Sequence, residues 1–240
     1  MKFENTEVFN FKNAIRGMRN PLESWNKSDS YYLNDKYIIG KNDLDLAQRL
    51  IKSGGCHRKF MRQIMVSVDI TAPLYWWKEF DTYKVGTVAN STSTMHKLAS
   101  TPITIECFET DDYEPILSFE VGIDETGDTP WNYDVCISDV IGEHESNYYF
   151  GETLIGFLES IRQKYLETKD KRYWKELIRW LPESWLQTRT VTMTYENLLA
   201  ICSKDQRRNH KLTEWSKSFI DWARSLPYAQ ELIFIDEVEE

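Results

Sequence analysis

The sequence predicts a mixed α+β fold, and three observations predict it. Ile64, Val66, Val68 and Ile70 alternate with Met65, Ser67 and Asp69, the two-residue period of a strand with one buried face. From Tyr148 to Glu167, the residues Phe150, Leu154, Phe157, Leu158, Ile161 and Tyr165 recur three or four apart, as on a helix that buries one side. Between these, Ile103–Phe108 and Ile116–Ile123 alternate or run apolar enough for strands, with acidic and Gly-containing turns around them.

In chain order, residues 1–43 carry one legible stretch, Arg16 to Trp25, where Pro21 marks a turn. Asp43 is placed to cap a helix through Leu44, Leu46, Ala47, Leu50 and Ile51, which Gly54-Gly55 ends. After the strand at 64–70, Pro73 suits the first turn of a helix over Leu74–Lys84, whose Trp76, Trp77, Phe80 and Tyr83 form an apolar side. The run Asn90-Ser91-Thr92-Ser93-Thr94 consists of cap formers, and a helix opening there would point free N–H groups outward. Tyr173, Trp174, Leu177, Ile178 and Leu181 give a helix that stops at Pro182, and Tyr195–Ile201 begins another. Leu212, Trp215, Phe219, Trp222 and Leu226 give the clearest helical stripe. Asp236–Glu240 reads as a solvated acidic tail.

At 240 residues without a Gly/Ser/Pro-rich linker, the chain is read as a single domain over 1–240 with a substantial core. A net charge of −9 argues against a nucleic-acid polymer as partner, since duplex phosphate demands a basic face. No stretch approaches the roughly 18 apolar residues of a membrane span, and Met1–Arg16 lacks the apolar core of a signal peptide, so a cytoplasmic location is expected. Cys56, Cys107, Cys136 and Cys202 form no C-x-x-C pair, and the four His are equally scattered, so no metal site is expected. The ten glycines include no G-x-G, which excludes a dinucleotide fingerprint, a phosphate loop and a G-x-S-x-G elbow.

The succession of strand, Ala72-Pro73, aromatic helix, Asn90 and Ser93 resembles the signature region of the flavin-dependent thymidylate synthases. That pattern is a strand, a Pro, a helix bearing Gln-x-x-Arg-His-Arg, then Asn-x-x-Ser-x-Arg. Glu79 falls where Gln is usual, and of the basic triplet only Lys84 keeps a positive charge, beside Tyr83. Met95 replaces the last Arg, with His96 and Lys97 next to it. Pro21-Leu22-Glu23-Ser24 resembles the family's Pro-Phe-Glu-His, with Ser24 in place of the His that approaches the flavin. Arg179-Trp180-Leu181-Pro182 resembles Arg-x-x-Leu-Pro shifted by one residue, and a hydroxyl-rich run, Thr188–Thr194, follows. Tyr195 and Asn197 stand where the family has an Asn-x-Arg pair. Arg207-Arg208-Asn209-His210 resembles the segment whose Arg holds the substrate phosphate.

The resemblance implies an antiparallel sheet flanked by helices and a methyltransferase that carries a one-carbon unit from methylenetetrahydrofolate to dUMP, forming dTMP. It implies FAD as cofactor, NADPH as reductant and a homotetramer. It implies that Glu79, Ser93, Arg179, Arg207 and Arg208 bind substrate and that Lys84, Asn90 and His210 face the flavin. No residue is assigned to bond-making itself. A related flavin enzyme acting on another pyrimidine nucleotide, and a non-catalytic nucleotide-binding homologue, are the alternatives. Each residue also has a plainer role: Ser93 as a helix cap, the basic cluster as partner to a helix carboxyl end, His210 as surface, the Trp stripe as core.

Overall fold

The computed structural model describes residues 1–111, 117–121, 133–137 and 148–237. In chain order its strands are β1 (Lys2–Phe9), β2 (Tyr31–Leu33), β3 (Lys36–Ile38), β4 (Met65–Pro73), β5 (Val88–Ser91), β6 (Leu117–Val121), β7 (Tyr133–Ile137), β8 (Tyr148–Tyr149) and β9 (Leu186–Thr194). Its helices are α1 (Phe11–Met18), α2 (Lys41–Lys52), α3 (Leu74–Phe80), α4 (Thr94–Lys97), α5 (Phe150–Thr168), α6 (Lys171–Arg179), α7 (Tyr195–Ile201), α8 (Lys204–Asn209), α9 (Ile220–Arg224) and α10 (Ala229–Leu232), with a π-helical turn at Glu214–Phe219 leading into α9. They fall into two compact units, Met1–Ala72 with Trp76–Ser91 and Thr188–Glu240, and Pro73–Tyr75 with Thr92–Gln187.

The first unit is built on the sheet β1-β4-β9-β5. β1 runs antiparallel to β4 with an irregularity between Glu4 and Glu7, and β5 runs antiparallel to β9. Thr71 shares a 2.7 Å hydrogen bond with Thr188, Thr190 donates to Asp69 at 2.5 Å, and Thr192 donates to Ser67 at 3.5 Å. One number rises as the other falls, so β4 and β9 are antiparallel too. Val66, Val68, Ile70, Val191 and Met193 are buried on the opposite face, where the alternation of the sequence put the core.

The strand extends to Pro73, so this proline closes β4 instead of opening α3. The helix starts on borrowed acceptors: Leu74 N–H donates to the Trp185 carbonyl at 3.0 Å and Tyr75 N–H to that of Glu183 at 3.1 Å. It ends at Phe80, earlier than the expected Lys84. The Thr82 hydroxyl donates to the Glu79 carbonyl at 2.7 Å, and Thr82 N–H bonds the same oxygen at 3.0 Å, tightening the last turn.

Asp43 corrects another expectation. It does not cap α2; Gly40 is the N-cap residue, and Asp29 accepts from the N–H groups of Asn42 (2.8 Å) and Asp43 (3.1 Å). Asp43 is fully buried, with Arg19 donating at 2.5 Å, the Ser28 hydroxyl at 2.6 Å and the Ser30 hydroxyl at 2.5 Å. Burial by itself raises its pKa, but these three donors together hold the carboxyl below its ordinary value.

In the second unit α5 and α6 pack over Leu98, Ile103, Phe108, Leu158 and Leu177. Ile103–Phe108 is not a strand. Ile103 N–H donates to the distant Glu159 side chain, Cys107 N–H to Thr104 and Phe108 N–H to Ile105, so the donors a ladder needs are spent elsewhere, and one bridge joins Phe108 to Trp185. The Ile116–Ile123 expectation meets β6, which lies between β7 and β8 in an antiparallel sheet; the rest of that stretch lies outside the described residues. The 148–167 stripe is α5, the 173–181 stripe falls largely on α6, and the helix expected to begin at Tyr195 is α7, which ends at Ile201. The 212–226 stripe is split between the π turn and α9. Among the described residues no helix is long and apolar enough to cross a membrane.

Candidate functional site around Tyr83 and His210

Two segments far apart in sequence meet in the first unit. The last turn of α3 brings Glu79 and the loop after it Tyr83; α8 and the residues after it bring Gln206, His210 and Trp215. The Tyr83 hydroxyl lies 2.9 Å from His210 Nε2 and 3.4 Å from Gln206 Oε1. His210 Nδ1 lies 4.0 Å from a Glu79 carboxylate oxygen. Below, His210 stacks on Trp215, which stacks on Trp76 at 4.6 Å, which stacks on Phe80 at 5.1 Å. The aromatic stripe is thus core, and it serves as the floor on which the imidazole rests.

Burial lowers the His210 pKa from its ordinary value, and the Glu79 charge only partly offsets this. Burial, with the Glu79 charge adding to it, raises the Tyr83 pKa. Both groups are therefore neutral near pH 7. The Tyr83 O–H donates to Gln206 Oε1, and its oxygen meets Nε2; an Nε2–H tautomer satisfies both contacts, whereas an Nδ1–H tautomer aims a donor at Glu79. The Glu79 side chain is half exposed, so one carboxylate edge faces solvent while the imidazole backs it.

A second polar group lies on the helix-covered face of the sheet. The Arg189 guanidinium sits 4.3 Å over the Trp77 ring and donates to Asp81 at 2.8 Å. The Asn197 side chain completes a capping box with Thr194 at the start of α7 and donates to the Val85 carbonyl, tying that helix to the loop after α3. Gly86, at φ +81°, is required there, since a Cβ would sit 3.0 Å from Asn197 Oδ1.

Of the residues expected to bind substrate or flavin, Glu79, Lys84, Asn90, Arg207, Arg208 and His210 fall in the first unit, Ser93 and Arg179 in the second. Lys84 and Arg208 are exposed, without an ion-pair partner among the described residues. Asn90 is exposed on β5 opposite Thr190, so the run from 90 to 94 begins as strand, not helix. Ser93 caps the short α4, accepting from His96 N–H at 3.1 Å and lying 2.8 Å from His96 Nδ1. Arg179 pairs with Glu176. Arg207 pairs with Glu237, whose carboxylate also receives two 2.8 Å bonds from Arg224. The expected solvated tail is therefore anchored at Glu237.

Pro21-Leu22 lies in a short 3-10 turn well before β4, and the turn directly ahead of β4 is Lys59–Arg62. The two stretches nevertheless line one depression of about 480 Å³, where Ser24 meets Cys56, His57 and Gln63. A wider depression of about 930 Å³ is walled by Phe9, Phe11, Tyr37, Met65 and Tyr228 and holds none of the expected residues, so size alone does not mark the site. Among the described residues no group of three or more His, Cys, Asp or Glu is placed to hold a metal ion.

The whole chain superposes on solved structures of the flavin-dependent thymidylate synthase ThyX from Helicobacter pylori complexed with FAD and dUMP. One gives a TM-score of 0.61 at 15% identity over 98% of this chain and 99% of that one; a second gives 0.62 at 14% identity over the full length of both. The shared property is the fold, an antiparallel sheet flanked by helices. No protein-family model and no curated protein sequence matches the chain.

Proposed function

We propose that this chain binds a pyrimidine nucleoside monophosphate beside a flavin at the Glu79–Tyr83–His210 cluster and transfers a one-carbon unit from methylenetetrahydrofolate to dUMP, forming dTMP. One observation carries the reading: the two sequence regions that resemble the flavin-dependent synthases touch each other at Tyr83 and His210, 127 residues apart in the chain. The fold shared with a synthase solved with FAD and dUMP supports it.

The donor set fits a flavin nucleotide in its polar part. Lys84 and Arg208 offer two cations without carboxylate partners among the described residues, and cations of this kind bind diphosphate oxygens. Lys84, Asn90 and His210 would hold the FAD, which when bound supplies the reducing equivalents drawn from NADPH. Arg208, and Arg207 once separated from Glu237, would take the substrate phosphate. The free edge of Glu79 would accept from the pyrimidine N3–H, with the neutral His210 4.0 Å behind it. Ser93 and Arg179 keep their assignment to the nucleotide from the sequence resemblance alone, and the chain is read as one domain in a cytoplasmic homotetramer. Burial pushes the Cys202 thiol up to about 12, so at neutral pH it supplies no thiolate to attack a pyrimidine.

Binding without turnover, or a different pyrimidine product, is the second reading, and the engagement of Arg207 by Glu237 favours it. Purified protein separates the two. A yellow preparation that NADPH bleaches only when dUMP is present, with dTMP found by mass spectrometry, supports the synthase. A protein that refuses added FAD overturns it.

A further inference from the structure

A pocket of about 280 Å³ lies between α1 and the β2–β3 hairpin and shares no residue with the cluster around Tyr83 and His210. Lys12 and Arg16 stand four residues apart on the exposed side of α1, one turn from each other. Each cation rests on an aromatic face: Lys12 Nζ lies 5.6 Å from the Tyr32 ring centroid, and the Arg16 guanidinium carbon 5.3 Å from that of Trp25. Neither has a carboxylate partner among the described residues, and no Asp or Glu lines the pocket. This is unusual in a chain with 38 acids and 29 bases. Arg19, at the floor, is already matched by Asp43, so the unbalanced charge is that of Lys12 and Arg16.

The rings are held and open. Trp25 Nε1 donates to Asn20 at 3.0 Å, and Tyr32 meets Tyr37 edge-on at 5.3 Å, yet Trp25 is 41% and Tyr32 57% exposed. Fixed aromatic faces beside long, flexible cations are the two components that recognise a base and its phosphate. The volume lies just below the roughly 300 Å³ at which small-molecule pockets begin, so a single nucleotide would sit partly in solvent. A net charge of −9 on the chain disfavours a longer polyanion, whereas two local cations act within the roughly 8 Å screening length on a small one.

We propose that this pocket binds a single nucleotide, its base stacked on Trp25 or Tyr32 and its phosphate held by Lys12 and Arg16. Calorimetric titration of the full chain with adenosine 5′-monophosphate tests it, since stacking tolerates any base and a purine is distinct from the substrate proposed above. Trp25→Leu should weaken AMP about tenfold and leave inorganic phosphate unchanged. The Lys12→Gln/Arg16→Gln pair should weaken both by about tenfold, and Lys12→Arg/Arg16→Lys should retain both. His210→Ala should bind AMP like the wild type. The side chains changed are exposed, and far-ultraviolet circular dichroism of each variant checks its fold. Absence of AMP binding to the wild type, equal affinity in Trp25→Leu, inorganic phosphate binding as tightly as AMP, or loss of AMP binding in His210→Ala would each overturn the proposal.

Discussion

His210 lies flat against Trp215, their ring centroids 4.5 Å apart and their planes 12° from parallel. This contact strips water from the imidazole and accounts for its lowered pKa. Between that lowered value and about 6.5, the unfolded chain binds a proton that the folded chain does not. The stabilisation is complete above about 6.5 and is lost as pH falls through the folded value. Thermal unfolding followed from neutral to mildly acidic pH should show a decline that His210→Gln flattens; an identical decline in both proteins would exclude His210 as its origin.

Asp43 is the joint of the segment between α1 and α2. Removing its carboxylate in Asp43→Ala strands the buried Arg19 guanidinium and leaves the Ser28 and Ser30 hydroxyls without their acceptor. The expected loss is about 3–5 kcal/mol, the scale for breaking a buried ion pair. Chemical denaturation measures it directly.

Glu159 plays the corresponding part in the second unit. Arg162 donates to both carboxylate oxygens at 2.7 Å, and Ile103 N–H adds a 2.8 Å bond, which brings the Glu159 pKa down to about 2. Its contribution is present above the ordinary carboxylate range and is lost only as pH falls toward 2. Arg162 is 5% exposed while Glu159 keeps some access to water, so Glu159→Ala should cost about 2–3 kcal/mol, less than a fully enclosed pair. An acid-unfolding midpoint unchanged by the substitution would contradict this.

Glu237 competes with any anion for Arg207. Glu237→Gln should weaken the anchoring of residues 235–237 and raise dUMP affinity about tenfold, equivalent to about 1.4 kcal/mol. Titration calorimetry reads this; unchanged affinity would remove Arg207 from the nucleotide site.

Much of the fold was legible because burial imposes periods that residues can spell. Val66, Val68 and Ile70 named the buried face of β4, and Tyr195 named the start of α7. Failures came where side chains replaced backbone partners. Asp43 reads as a cap by type and position, but nothing local announces that Arg19, Ser28 and Ser30 will close around it. Ile103–Phe108 has the composition of a strand, yet Glu159, 56 residues on, takes the Ile103 donor. The candidate site was legible as residues and not as pairings. Glu79, Lys84, Arg208 and His210 were named, while the engagement of Arg207 by Glu237 and the contact of Tyr83 with His210 depend on long-range closure that spacing does not encode.

The π turn at Glu214–Phe219 holds one residue more per turn than an ordinary helix would. A descendant or ancestor lacking that residue would wind the next segment about 100° around its axis. Trp215 could then no longer underlie His210 while Trp222 kept its place beside Phe3. Templates of rigid spacing laid across this point therefore slip by one step, and deleting a single codon here would reorient the imidazole without touching it.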